Sequence, residues 1–261
     1  MSRLSHAPLF DDERFAASLE TNALGRRFHY EREIPSTMDL ARELAAAGAL
    51  HGTLILAETQ TAGRGRRGRD FYSPPGGSLY FTVILRPAQA VYARLPLSVP
   101  LAVCRACAGA GVEALIKWPN DIWVGERKMS GMLIDGESGP AGATAYVGVG
   151  INVNADPTAL PALRESATSL ARELGREVAR ETLLARVCDE LEVAMAAPVA
   201  ALREAYRGVS LVLGRAITVE EGAGGYRAIA RDIAPDGALE VELDDGTRRR
   251  VVAADVSVRR A

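Results

Sequence analysis

Gly63-Arg64-Gly65-Arg66-Arg67-Gly68-Arg69, followed by DFYSPPGG (70–77) and LYFTVILR (79–86), is the stretch on which the fold turns. It contains G-x-G-x-x-G after an apolar run, the pattern with which a doubly wound parallel sheet holds a dinucleotide. That reading needs a helix to open at the glycines, and DFYSPPGG cannot start one. A strand follows instead, so the segment is a loop between two strands.

Outward from this loop lie FHYEREI (28–34), TLILAE (53–58), LIKW (115–118), DIWV (121–124), KMSGMLID (128–135) and AYVGVGINVN (145–154), short and rich in apolar or β-branched residues. They predict one mixed, mostly antiparallel sheet, an α+β architecture. Ser36-Thr37-Met38-Asp39 before LARELAAAG supplies an N-cap, an acid in the first turn and Gly48 as terminator, hence a helix directly after the first strand. Helical spacing also marks 91–112 and 180–208, the second divided at Pro198, and the helices are expected on one face of the sheet. After Gly208 the chain turns to short β runs with Pro235-Asp236-Gly237 and Asp244-Asp245-Gly246 as hairpin signals, which predicts a separate small β-barrel.

With 31 basic and 33 acidic residues, the chain has no global field to draw it to nucleic acid or an anionic membrane. No secretory leader or run long enough to span a bilayer is legible, so a cytoplasmic location is expected. Cys104 and Cys107 form C-x-x-C within an apolar helical stretch, and Cys188 alone cannot complete a zinc site. Buried thiols are the expectation. Of the 31 basic residues only Lys117 and Lys128 are lysine, and both fall in one short segment. Their survival in an arginine-rich chain suggests a need for compact ammonium groups that a planar guanidinium cannot replace.

The 63–69 loop reads as an anion clamp: glycines let backbone N–H groups approach a ligand, and arginines bind carboxylate and phosphate oxygens bidentately. Neighbouring guanidiniums about 6 Å apart repel by roughly 0.7 kcal/mol even in water, so the loop is expected to be open without ligand and ordered with it. The rival reading is a nucleic-acid binder working through 63–69, opposed by few interleaved aromatics and the nearly neutral whole. A second constellation runs Lys117-Trp118-Pro119-Asn120-Asp121, a short turn, then Lys128-Met129-Ser130-Gly131. If two antiparallel strands flank the turn, Asp121 and Lys128 share one end of a hairpin. Trp118 reads as packing and Pro119 as an edge or bulge device. Ser36 and Thr37 suit either an N-cap or a pocket-lining hydroxyl pair, and Gln60 can aim its amide under the loop.

Together PSTM (35–38), ETQTAGRGRRGR (58–69), SPPGGSLYFTVILRP (73–87), KWPNDIW (117–123), RKMSG (127–131) and VGVGIN (147–152) resemble bacterial biotin protein ligases in order and spacing, from about residue 30 onward. The resemblance implies a class II synthetase-like biotin/lipoate ligase domain over 31–208 and an SH3-like β-barrel over 209–261. Residues 1–30 would form an N-terminal segment, too short for the winged-helix DNA-binding domain of regulatory members. The implied activity is ATP-dependent formation of biotinyl-5′-AMP, followed by transfer of biotin to a lysine of a biotin carboxyl carrier protein domain. Mg²⁺ would accompany ATP, no DNA or membrane partner is expected, and a homodimer stays open.

By the same resemblance Ser36, Thr37, Met38, Gln60 and Gly131 would line the biotin site, with Arg64, Gly65 and Arg66 closing over its carboxylate. Lys128 would sit at the reacting centre, with Arg66, Arg69, Phe71 and Asn152 toward ATP and the adenylate. Lys128 and Arg66 are the expected stabilisers of phosphoryl charge, and Asp121 the group that orients or deprotonates the acceptor lysine. Met38 stands where the family usually has Asn, and Phe71 where Trp is common. A lipoate or octanoate-type ligase of the same fold is the closest alternative, although such enzymes do not combine this arginine loop with KWPND.

Overall fold

The computed structural model describes residues 9–69, 71–75, 77–139, 142–221, 224–252 and 254–258. Seven strands form the main sheet: β1 (Arg27–Ile34), β2 (Thr53–Gln60), β3 (Leu79–Leu85), β4 (Leu115–Lys117), β5 (Asp121–Val124), β6 (Arg127–Gly139) and β7 (Gly142–Ile151). Their order is β1-β2-β3-β7-β6-β5-β4. Only β1 and β2 run parallel, and every other neighbouring pair is antiparallel. The parallel pair follows from helix α2 (Thr37–Ala46), which carries the chain back across the sheet between them.

The helices occupy both faces, which corrects the expectation of one. Alternating strand residues divide between two apolar clusters: Leu54, Leu56, Phe81 and Val83 face the main core, whereas Ile55 and Ile84 join Met38 and Ala41 of α2. Both sides of β2 and β3 are apolar, so both need cover. On the main-core side pack α4 (Leu95–Ala110) and α6 (Arg180–Ala196). The 91–112 stretch is not one helix, because a short α3 (Gln89–Tyr92) ends before Pro96 enters the first turn of α4. The break at Pro198 is as expected, with α7 (Val199–Gly208) starting after it.

Two elements escape the sequence reading. The N-terminal region contains α1 (Asp12–Ser18), capped by Asp11, whose Phe15 packs 4.9 Å from the Phe28 ring. A buried ion pair also ties the main sheet to α6: Glu58 accepts from Arg180 Nη1 at 2.7 Å, Tyr30 Oη at 2.9 Å and the Phe10 backbone N–H at 2.9 Å. No helix among the described residues is long and apolar enough to cross a membrane.

The second sheet comprises β8 (Ala216–Glu221), β9 (Gly224–Ile233), β10 (Leu239–Glu242), β11 (Arg248–Val251) and β12 (Asp255–Val258), all antiparallel, in the order β11-β10-β9-β8-β12. Both hairpin signals lie between strands as expected, with Gly237 and Gly246 at positive φ. This five-stranded SH3-like domain is docked on the main sheet. Trp118 Nε1 donates to the Gly237 carbonyl at 2.9 Å, and Arg203 and Arg207 of α7 reach Asp232 at 2.9 and 2.8 Å. The docking carries β12 to the mouth of a cavity in the main sheet.

Candidate functional site

That cavity, of about 340 Å³, lies at one end of the main sheet. Its lining comes from the start of α2, the end of β2, the 63–71 loop, the β4–β5 turn, β6, β7 and the small domain's β8 and β12. Of the residues expected at the site, Ser36, Thr37, Met38, Gln60, Arg64, Gly65, Arg66, Arg69, Phe71, Asp121, Lys128 and Gly131 all line it. Asn152 does not: its side-chain amide donates to the Thr168 carbonyl at 2.9 Å and serves the fold there.

A polar network forms the inner wall. Gln60 Oε1 accepts from the Thr37 backbone N–H at 2.9 Å and from its hydroxyl at 3.0 Å, while the Thr82 hydroxyl stands 2.8 Å from that of Thr37. The other end of the Gln60 amide donates to Ser73 Oγ at 3.0 Å. Ser36 takes the N-cap role, accepting from the Met38 N–H at 3.3 Å. Met38 is buried, and its sulfur lies against Gly148, where an added Cβ would come within 2.8 Å of it.

A glycine floor supports Phe71. Gly131 of β6 and Gly150 of β7 are register partners, and a Cβ at Gly150 would approach the Phe71 ring to 2.3 Å. A Cβ at Gly131 would meet Lys128 Nζ at 2.9 Å. A side chain at Gly150 would have to displace the Phe71 ring, so that position needs glycine for room rather than for conformation, whereas at Gly131 the flexible end of Lys128 would have to give way. The VGVGIN run carries this signal, but pattern alone does not say what lies against it.

The arginine loop is pinched at its neck, with the Phe71 N–H bonded to Gly63 O at 2.9 Å and the Gly65 N–H to Arg69 O at 2.7 Å. Its charges do not face one another unrelieved. Arg64 pairs with Asp39 of α2 at 2.8 Å, Arg66 reaches Asn120 Oδ1 at 3.2 Å and Asp255 at 3.9 Å, and Arg69 also pairs with Asp255. Asp255 begins β12, opposite Glu220 of β8, and both line the cavity. Nothing local in the sequence links Asp255 to Arg69, 186 residues earlier, and the expectation of net repulsion within the loop misses this compensation.

On the β5–β6 side of the cavity, Lys128 Nζ lies 2.7 Å from Asp121 Oδ1. The two are not directly opposite: Lys128 pairs in register with Trp123 and Asp121 with Gly131, and a bulge separates Ile122 from Trp123. Lys128 is pinned through its backbone, its N–H to Ser166 O and its carbonyl to the Thr168 N–H, each at 2.9 Å. Asn120 is clasped to β6 in both directions through Met132, at 2.8 and 3.0 Å. Trp118 is buried as packing, and Pro119 follows it through a cis peptide in the β4–β5 turn. Lys117 also lines the cavity, 4.1 Å from the Trp123 ring centre, and burial lowers its pKa.

Elsewhere the expected buried thiols are found: Cys104, Cys107 and Cys188 are free and buried, and burial pushes the Cys104 thiol up to about 12. They are inert packing at neutral pH.

Comparison with known proteins follows the same division of the chain. The Biotin/lipoate A/B protein ligase family matches residues 30–152, and the Biotin protein ligase C terminal domain matches residues 212–259. The biotin--[acetyl-CoA-carboxylase] ligase of Paracoccus denitrificans is 33% identical over 234 residues, covering 83% of this chain and 95% of that protein. The bifunctional ligase/repressor BirA of Bacillus subtilis is 31% identical over 252 residues, covering 92% and 76%. Among solved structures, the biotin protein ligase from Aquifex aeolicus in complex with biotin and ATP aligns with a TM-score of 0.77 at 26% identity, covering 90% of this chain and all of that one. The Leishmania major ligase with biotinyl-5-AMP aligns with a TM-score of 0.60 at 28% identity, covering 87% and 99%.

Proposed function

This chain belongs to the biotin protein ligase family, and from that premise we propose that it joins biotin to ATP as biotinyl-5′-AMP and passes the biotin to a lysine of a biotin carboxyl carrier protein domain. The observation that carries the reading is one cavity in which cations from two distant segments, Arg66 of the loop and Lys128 of β6, face the Thr37–Gln60 network.

In the first step a biotin carboxylate oxygen bonds to the α-phosphorus of ATP, the bond to the β-phosphate oxygen breaks, and pyrophosphate leaves. Bringing these two anions together needs positive charge at both, and the phosphoryl oxygens gain charge in the transition state. Arg66 and Lys128 are assigned that role, with Arg64 and Gly65 closing on the carboxylate. Gln60, Thr37, Ser36 and Gly131 are assigned to the biotin ring, with Met38 as its apolar wall. Phe71 on its glycine floor and Arg69 are assigned to the adenylate, and the placement of Asn152 gives no support to a nucleotide contact there.

In the second step the acceptor amine attacks the acyl carbon and AMP leaves. The amine must first lose a proton, and Asp121, lining the cavity at the β4–β5 turn, is assigned to orient or accept it.

Mg²⁺ would be held chiefly by triphosphate oxygens and water, with the Asp121 carboxylate, which lines the cavity at the β4–β5 turn, as a hard oxygen donor the chain can offer. When bound, the ion would neutralise charge on the departing pyrophosphate. A cytoplasmic setting belongs to the same proposal, in keeping with three free thiols.

The deciding experiment is ATP-dependent biotin labelling of a purified carrier domain, with recovery of biotinyl-5′-AMP when the carrier is omitted. Biotin-independent pyrophosphate release, or preference for lipoate or octanoate in a substrate panel, would overturn the reading.

A further inference from the structure

Strand β1 closes one end of the main sheet, and its outer side pairs with no described residue. At the opposite end β4 is covered, because the Ile116 N–H donates to the Val209 carbonyl at 2.7 Å and the Ile116 carbonyl accepts from the Leu211 N–H at 2.8 Å. Strand alternation fixes which groups of β1 face outward. The Ile34 carbonyl accepts from the Thr61 N–H at 3.0 Å on the β2 side, so Phe28, Tyr30 and Arg32 also turn their backbone groups to β2. Arg27, His29, Glu31 and Glu33 then present theirs to the open side. The side chains of Arg27, His29, Glu31, Arg32 and Glu33 are exposed, and none has an ion-pair or hydrogen-bond partner among the described residues. By contrast Arg231, Arg249 and Arg250, on the exposed faces of the small domain, are each paired with an acid.

An open edge is a template for another strand, and charge on it deters every partner whose pattern does not match. The charges of β1 match β1 itself. In an antiparallel pair the residues that exchange hydrogen bonds face outward on both strands. A second copy related by a two-fold axis through Tyr30 meets that condition, setting Arg27 against Glu33 and His29 against Glu31, with Arg32 against Phe28 between them. No like charges meet. Centring the pair on His29 would set Arg26 against Arg32, and centring it on Glu31 would set that carboxylate against itself. Backbone direction and charge thus select one register. We propose that β1 is a self-association edge, through which two copies of this chain join their seven-stranded sheets into one. Because β1 leads directly into Ser36 and Thr37 of the cavity wall, the second copy braces the strand that delivers them. The inference stands apart from the ligase reading of the cavity.

The test is the mass of the full chain in solution, by sedimentation equilibrium over a range of concentrations. It compares the wild type with Arg27→Glu, with Glu33→Arg and with the double swap, and thermal midpoints check that the variants fold. Each single swap sets like charges against each other at both ends of the pairing. We expect a wild-type dimer and single variants that self-associate at least about tenfold more weakly. An equimolar mixture of the two single variants should dimerise as the wild type does, because every arginine at these positions then meets a glutamate, and the double swap should do the same. A wild type that stays monomeric, single variants that dimerise as tightly as the wild type, or a mixture or double swap that stays monomeric would overturn the inference.

Discussion

Lys128 and Asp121 meet at 2.7 Å although the sheet register sets them diagonally, Lys128 against Trp123 and Asp121 against Gly131. The contact spans the bulge that Met129 makes in β6, and both side chains reach it from backbone held on two sides. A preorganised donor of this kind stabilises a phosphoryl transition state by about 3 kcal/mol. Lys128→Met should therefore lower biotin-dependent pyrophosphate release roughly a hundredfold. Lys128→Arg should not restore it, because a planar fork cannot replace a point ammonium beside Gly131, where Nζ already lies close. Near-normal release by the arginine variant would remove Lys128 from the reacting centre.

Asp121→Asn separates the two half-reactions. With preformed biotinyl-5′-AMP, its transfer of biotin to a carrier domain should fall by roughly 10²-fold, the usual scale for a lost general base. Transfer at the wild-type rate would show that the carboxylate neither orients nor deprotonates the acceptor.

Gly150→Ala puts a methyl group where the Phe71 ring now lies, 2.3 Å from its nearest atom. The ring must move, and with it the proposed adenylate platform. Equilibrium titration should show weaker ATP binding by tenfold or more, with a smaller loss of biotin affinity passed on through Ser73, whose hydroxyl links the Phe71 carbonyl to the Gln60 amide. Equal weakening of both ligands would mean that the floor supports the whole cavity.

Asp255 is the acid that Arg66 and Arg69 share, and it comes from the small domain. Asp255→Asn removes that compensation and leaves the loop's arginines to repel one another. Limited proteolysis of the ligand-free variant should cut within residues 63–71 several-fold faster than in the wild type, and biotin with ATP should suppress cutting in both. A loop equally protected with and without ligands would sink the lid reading.

Arg180→Met tests the buried ion pair that anchors β2, the strand ending in Gln60. Glu58 would keep Tyr30 and the Phe10 N–H but lose both guanidinium contacts in a buried setting. Stranding a buried charge costs about 3–5 kcal/mol, readable as a lowered urea midpoint. A loss under about 1 kcal/mol would mean that those two hydrogen bonds, each worth on that order, suffice.

Local chemistry made much of the architecture legible. Pro74 and Pro75 exclude a helix after the arginine loop, Pro198 divides α6 from α7, and Gly237 and Gly246 mark hairpins whose turns need positive φ. The residues that line the cavity were legible as a set, because glycine spacing, a clustered pair of lysines and a hydroxyl pair before a helix are unusual in themselves. The second helical face was not, since the alternation in β2 reads as a continuous apolar run when both sides are buried. Helix α1 was missed because it is short and buries a single aromatic, Phe15, against other segments.

The sequence by itself determined that the arginine loop joins strands, that Lys128 follows Asp121 across a hairpin, and that the chain ends in a small β-domain. Each depends on neighbours within a few residues, where backbone sterics and side-chain period decide the outcome. Tertiary structure alone decided that Asp255 meets Arg66 and Arg69, that Gly131 and Gly150 lie under Phe71, and that Asn152 turns to Thr168. Those contacts join segments far apart in the chain, and they exist only because burying both faces of the main sheet and docking the small domain onto it brings their backbones together.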